Sequence, residues 1–199
     1  MEYDVNFFDL NYNRKEHRIR TVKFILRIVL WLVIIAAMIV AAWAITTYCV
    51  EKTNMTGSSM EGTLSDGDRI IINRMSYIKN DPERFDVIVF EKNGKEHSYY
   101  GIRRVIGLPG ETVQIIDGEV YINGEVLEET VNVEAMRVYG LAEEPIVLDD
   151  DEFFVLGDNR NQSEDSRFTS MGNVTREEII GKAWIRTDSF GIISKLNLK

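Results

Sequence analysis

A segment rich in glycine and serine, residues 56–68, has a composition suited to catalysis. It reads TGSSMEGTLSDGD and holds few bulky side chains, so its backbone can approach a ligand closely and leave a hydroxyl exposed. A serine hydroxyl becomes a useful nucleophile only when a base removes its proton. The same composition is also typical of a polar linker, and both interpretations remain open at this point.

A second polar cluster occupies residues 154–167, which read FVLGDNRNQSEDSR. A hydrophobic strand is predicted to end there in a loop with many hydrogen-bonding side chains. Asp165 and Arg167 are two residues apart and would share a strand face, where they could pair with Asp158 or Arg160 and fix the loop. An Asx-rich turn with surface ion pairs is the alternative.

A base for a serine nucleophile is not evident in the sequence. His97 lies between Glu96 and Ser98 in a polar stretch that is typical of a solvated histidine. An exposed lysine would keep its proton, because only a desolvated lysine has its pKa lowered toward neutrality.

A long apolar run, residues 28–50, is predicted to anchor these segments to a membrane. Its length of about 23 residues without a charge is enough to cross a bilayer as a helix. The flanking charges are the basis for its orientation: six cations precede the run and one follows it closely, namely Arg14, Lys15, Arg18, Arg20, Lys23, Arg27 and then Lys52. This asymmetry predicts a cytoplasmic segment 1–27, a span 28–50 and an extracytoplasmic domain 51–199.

A cleavable leader is the alternative, since Ala42-Trp43-Ala44 offers a small-x-small site, but the apolar run is longer than a signal sequence requires. The predicted orientation would place His17 on the cytoplasmic side, away from the domain.

The composition of the chain argues against several classes of partner and cofactor. The net charge of −9 disfavours binding to nucleic acid, which needs a surplus of lysine and arginine. The single cysteine, Cys49, cannot form an intramolecular disulfide. With two histidines and no CxxC spacing, neither a zinc site nor another cofactor is expected.

The outer segment is predicted to be mostly β. Seven short runs are rich in Val, Ile, Phe, Tyr or Thr, at residues 69–73, 86–91, 101–106, 112–116, 119–122, 152–156 and 182–187. Asp117-Gly118 and Asn123-Gly124 predict tight hairpins. Residues 125–151 predict a surface excursion, and Thr175 with Glu178 forms the capping-box pattern of a short helix.

Four segments together carry a family resemblance. The order of an apolar span followed by GSSMEGTL, GDRIIINR, IRRVIGLPGE and LGDNRNQSEDSR resembles that of the bacterial type I signal peptidases in their single-span form. The resemblance implies antiparallel β-sheets and a Ser-Lys dyad without a cofactor. It also implies membrane attachment and the cleavage of signal peptides from exported preproteins.

The resemblance also assigns roles to individual residues. Ser59, directly before Met60, takes the position of the nucleophile, its backbone N–H helps to form the oxyanion hole, and Gly57 lies on the approach. Ser163 takes the position of the hydroxyl that orients the base. The polar frame of the site is assigned to Asp158, Asp165 and Arg167.

Two positions depart from the family pattern. Arg103 stands where the family has its lysine base, and arginine keeps its proton at any pH that a protein tolerates. Gly62 stands where the first segment normally has proline, which predicts a looser turn after the nucleophile. Two hypotheses therefore remain: an active signal peptidase, or an impaired relative that binds signal-like or surface-protein segments as an assembly factor.

Overall fold

The computed structural model describes residues 7–92 and 100–196, so His97 lies outside the described residues. The chain divides into two compact units, Met1–Thr47 and Tyr48–Lys199. The first consists of a long helix and the second of β-strands.

The helix α1 extends over Phe7–Tyr48. Within it, Arg18–Ile45 is long and apolar enough to cross a membrane, with a mean hydropathy of 2.9 and no part buried in protein. The helix ends two residues before residue 50, the predicted end of the span, because Val50 already belongs to a β-strand. Val50 pairs with Asn73 of the next strand, and this tertiary pairing ends the helix at Tyr48.

Twelve strands lie in the described part of the second unit. They are β1 Val50–Asn54, β2 Arg69–Asn73, β3 Val87–Glu91, β4 Tyr100–Gly107, β5 Thr112–Ile116, β6 Glu119–Ile122, β7 Glu125–Val126, β8 Ile146–Val147, β9 Glu152–Leu156, β10 Val174–Thr175, β11 Ile179–Arg186 and β12 Gly191–Ile192. Each of the seven predicted strands is present, with its ends shifted by up to three residues.

The strands form two sheets. The large sheet has the order β1-β2-β11-β3-β4-β9-β10, with β12 also paired to β11, and the small sheet has the order β7-β6-β5-β8. Every described pair is antiparallel. The prediction of a mostly β fold built from antiparallel sheets after an amino-terminal apolar helix is confirmed.

Both tight hairpins of the small sheet are present. Asp117 and Gly118 have φ angles of 52° and 86°, and Asn123 and Gly124 have φ angles of 53° and 85°. Positive φ at both central residues is the requirement of a type I′ turn, whose twist matches that of the flanking strands. These turns connect β5 to β6 and β6 to β7.

The large sheet is buried on both faces near β3. Val87 and Val89 belong to one core cluster, and Ile88 and Phe90 belong to another on the opposite face. The first cluster also contains Met60 and Leu64, which have no solvent exposure. The glycine- and serine-rich segment is therefore folded into the domain, and its interpretation as a polar linker is wrong.

Two local predictions need correction. The excursion after β7 does not lie only on the surface, because Met136 and Leu148 pack into the core of the small sheet. The capping box of Thr175 and Glu178 is present, but it starts a single 3₁₀ turn, Arg176–Glu178. The following residues pair with β3 and become strand β11, which leaves no room for an α-helix.

Candidate active site

Ser59 lies in the connection between β1 and β2 and is held there by its neighbour. The Met60 side chain is fully buried in the first core cluster, while Ser59 itself is 7% exposed. On the approach, Gly57 has a φ of 82°, which favours glycine, and its N–H donates to Asp66 Oδ1 at 2.7 Å. The sequence-predicted nucleophile is thus fixed by core packing on one side and by a tight turn on the other.

Gly157 brings the Ser59 segment against the loop after β9. A Cβ atom at Gly157 would lie 2.4 Å from the Ser59 carbonyl oxygen and 2.2 Å from Ser163 Oγ, so both atoms pack directly on the glycine. Asn159 reinforces the contact, because its N–H donates to the Ser59 oxygen at 3.0 Å and its Nδ2 donates to the Ser58 oxygen at 3.1 Å. The backbone of Ser59 therefore lies next to Ser163.

A buried ion pair ties three of the sequence segments together. Arg104 donates through Nε to Asp158 Oδ1 at 2.7 Å and through Nη2 to Oδ2 at 2.6 Å. Thr63, four residues after Ser59, donates its hydroxyl to Asp158 Oδ2 at 2.5 Å. A bidentate arginine–carboxylate pair with an additional hydroxyl satisfies the charges that burial would otherwise leave unpaired.

A second buried pair holds the loop after β9. Arg167 donates to both oxygens of Asp165, at 2.8 and 2.9 Å, and Asp165 Oδ2 accepts the Gly157 N–H at 3.1 Å. The predicted pairing of these two residues with Asp158 or Arg160 is wrong. Asp158 instead binds Arg104 on β4, and the Arg160 guanidinium binds Glu129.

The Arg103 side chain turns to the face of the sheet that carries Phe90, because its register partner Ile88 faces that way. Its guanidinium binds two backbone carbonyls. Nη1 donates to the Ile102 oxygen at 2.7 Å, and Nε and Nη2 donate to the Glu164 oxygen at 3.0 and 2.6 Å. Arg103 also lines a cavity of about 150 Å³ together with Phe90, Lys92, Gly101, Glu164 and Met171.

Ser163 is next to Glu164, and its hydroxyl has no hydrogen-bond partner although Ser163 is only 7% exposed. It is the one buried side-chain oxygen or nitrogen without a partner in the part of the chain that the structure describes. An unpaired buried hydroxyl costs about 1–3 kcal/mol, so folded proteins rarely keep one without a reason. The Ser163 hydroxyl can therefore accept a hydrogen bond from another group, since the Arg103 guanidinium binds backbone carbonyls instead.

Two free strand edges lie beside these residues. β1 pairs only with β2, and β9 ends at Leu156, opposite Arg104, so within residues 7–92 and 100–196 no strand pairs with Tyr100–Ile102 on that side of β4. The Tyr100 hydroxyl donates to Glu51 Oε1 on β1 at 2.8 Å, so the two edges approach each other. This bond raises the pKa of Tyr100.

The structure packs Ser59 and Ser163 on Gly157 and places Asp158, Asp165 and Arg167 in the same loop after β9. Arg103 lies on the face of the sheet opposite the cluster that contains Met60, and its guanidinium binds the Ile102 and Glu164 carbonyls. Among the described residues, the Ser59 hydroxyl forms no hydrogen bond with a base. Sequence reasoning assigned no role to Thr63, Gly157 and Asn159, because their contacts with Asp158, Ser59 and Ser58 join positions between 95 and 101 residues apart. In the same described residues, no cluster of His, Cys, Asp and Glu suits a metal ion.

The fold and the site define a class: a β-sheet domain after an apolar helix, with a serine at a tight turn beside free strand edges. The chain belongs to the family described as "Signal peptidase, peptidase S26", whose profile matches residues 27–187.

Several similar proteins are named as signal peptidases. The chain is 42% identical over 155 residues to "Signal peptidase I" of Leptolyngbya laminosa, covering 74% of this chain and 73% of that protein. It is 40% identical over 152 residues to "Probable signal peptidase I-2" of Synechocystis sp., covering 74% and 67%. A crystal structure of a signal peptidase I from Enterococcus faecalis is 33% identical, covers 52% of this chain and 97% of that one, and superposes with a TM-score of 0.41.

Proposed function

We propose that this chain is a membrane-anchored endopeptidase that removes signal peptides from exported preproteins, with Ser59 as its nucleophile. The helix α1 anchors it in the cytoplasmic membrane with the amino end inside and the β domain outside, as the flanking charges predict. The single observation that carries the proposal is the position of Ser59, held at a tight turn against Gly157 and Ser163 in a chain of this family.

The free strand edges support the binding of an extended peptide. A peptide can add to such an edge through backbone hydrogen bonds, which need no particular side chains. The edge of β4 at Tyr100–Ile102 leads toward the loop of Ser163 and Glu164, which Arg103 contacts. A peptide lying there has its backbone close to the site.

The chemistry proceeds without a side-chain base at position 103. The Ser59 oxygen forms a bond to the peptide carbonyl carbon, its proton passes to water, and the Ser59 N–H stabilises the negative oxygen. The carbon–nitrogen bond then breaks, the amine leaves with a proton from water, and a second water hydrolyses the acyl-enzyme. Because a positioned base contributes about 10²- to 10⁴-fold in rate, this peptidase is slow.

The proposal is tested with the full-length chain in detergent micelles and a fluorogenic peptide with a small-x-small cleavage motif. We expect slow turnover that Ser59→Ala abolishes. Arg103→Lys introduces an amine that Ser163 can orient, and we expect it to raise kcat by about 10²- to 10⁴-fold.

The neighbouring serine supplies the matched control. Ser58→Ala removes a hydroxyl one residue away and leaves the Ser58 carbonyl, which accepts from Asn159, in place. Its turnover should equal that of the parent. Peptide binding by the parent without any turnover would contradict the proposal and favour a relative that binds without cleaving.

A further inference from the structure

The direction of the backbone groups along β4 determines which of them face an incoming peptide. Alternate residues of an antiparallel strand direct their N–H and C=O groups to the same neighbour. Val105 bonds to the β3 side, since its N–H donates to the Asp86 oxygen and its oxygen accepts from Phe85, both at 2.8 Å. Ile102, three residues earlier, therefore directs its groups to the opposite side.

On that side, the Ile102 carbonyl lies beyond the end of β9. Register pairs Arg104 with Leu156, the last residue of β9, and the chain then leaves the sheet at Gly157. The Ile102 oxygen is thus the β4 acceptor on the free edge that lies nearest to the end of β9. A peptide that extends the sheet here needs this oxygen.

Arg103 already occupies it. The guanidinium donates to the Ile102 oxygen and, through two N–H groups, to the Glu164 oxygen across the gap. Neighbouring strands lie about 4.8 Å apart, so a planar group that bridges β4 and the 164 loop fills the space that a peptide backbone requires. A lysine ammonium has no planar fork and cannot hold both carbonyls in this way.

We propose that Arg103 is an affinity-determining residue of the peptide groove: its guanidinium competes with extended peptides for the Ile102 carbonyl and must leave before they bind. This inference rests on the proposed function, because it concerns peptides that bind for cleavage. It adds a second consequence to the replacement of lysine, since the same side chain that fails to accept a proton also blocks the strand edge.

The test measures peptide affinity in a chain that cannot cleave. Ser59→Ala serves as the parent, and Arg103→Met in that background keeps an unbranched apolar stem while removing every side-chain donor. The probe is a fluorescent synthetic peptide with an apolar segment and a small-x-small motif, and its anisotropy is measured with the full-length protein in micelles. We expect Arg103→Met to bind the peptide about 10-fold more tightly, as expected for the release of a charge-assisted hydrogen bond.

A second arginine separates this effect from that of charge alone. Arg137 is exposed and lies between β7 and β8, so Arg137→Met removes one cation without touching β4. Its affinity should equal that of the parent, and carbon-13 labelling of isoleucine carbonyls should show the Ile102 signal shifting in Arg103→Met but not in Arg137→Met.

The outcomes distinguish this inference from the proposed function. Equal or weaker binding by Arg103→Met, in a parent that binds the peptide, would overturn the role of Arg103 alone. Absence of binding in every variant would reject both the docking of peptides on β4 and the competition by Arg103. Tighter binding by Arg103→Met with no gain in turnover when Ser59 is restored supports the inference, because only a base changes the chemical step.

Discussion

Arg104 and Asp158 form a bidentate ion pair whose two side chains are 3% and 0% exposed. Arg104 belongs to β4 and Asp158 to the loop after β9, and the hydroxyl of Thr63 joins them from the segment of Ser59. The pair therefore fixes the distance between β4 and the segment of Ser59.

Removing one partner of this pair should destabilise the fold. Asp158→Ala leaves a buried guanidinium without its counter-charge, and we expect a loss of about 3–5 kcal/mol in the free energy of unfolding. Denaturant unfolding followed by tryptophan fluorescence measures it. Arg74→Ala breaks an exposed pair with Glu51 and serves as the control, with a change below about 1 kcal/mol. A similar small change for Asp158→Ala would contradict this account of the site.

Gly157 should not tolerate a side chain. A methyl group at this position would overlap Ser163 Oγ and the Ser59 oxygen, so Gly157→Ala should push the two segments apart. We expect a loss of about 1–3 kcal/mol from overpacking and a fall in peptidase rate of about 10²-fold from misplacement. Gly191→Ala is the matched control, since the nearest atom to its new carbon is the end of the Leu196 side chain at 3.1 Å. Unchanged activity in Gly157→Ala would show that the contact does not position Ser59.

Restoring the family's proline at position 62 should harm this chain. Gly62 has a φ of 100°, whereas proline fixes φ near about −65°, so Gly62→Pro cannot adopt the present turn. We expect it to be less stable than Gly62→Ala, which costs about 1–2 kcal/mol at a positive φ. Thermal unfolding of the two variants compares them. A stabilised Gly62→Pro would mean that the turn after Ser59 has another conformation.

The pH dependence of turnover should differ between arginine and lysine at position 103. Arginine stays protonated throughout, so the parent rate should keep rising with hydroxide concentration and show no plateau. In Arg103→Lys the rate should rise as the amine loses its proton and level off above the pKa of that amine, whose ordinary value is about 10.4. Initial rates of both proteins across a pH series test this. A plateau in the parent would reveal a side-chain base that remains to be assigned.

Local features of the fold could be predicted from the sequence because they depend on short-range chemistry. Asp117-Gly118 and Asn123-Gly124 specify turns whose positive φ angles few other residues accept, and the β-branched runs mark the strands. The prediction of a short helix after Thr175 was wrong because long-range contacts decide the structure there. Its capping box is local, but pairing of the next residues with β3 decided the outcome.

The site could be predicted only as far as its segments can be recognised. Ser59 and Ser163 follow from the family pattern, but their shared packing on Gly157 depends on a fold that brings distant residues together. The partners of Asp158 and Arg160 were mispredicted because opposite charges nearby in sequence were preferred to Arg104 and Glu129. The contacts of the Arg103 guanidinium could not be predicted, because its acceptors are backbone carbonyls, which every residue type has.

Because Met60 is buried in the core, the position of the neighbouring Ser59 depends on the folded state of the domain. The Met60 side chain is enclosed by β2, β3 and β11 residues such as Ile72, Val89 and Ala183, so the adjacent hydroxyl loses its position only when this core opens. Heat should therefore inactivate and unfold the protein in a single event, without an intermediate that remains folded but has a displaced serine.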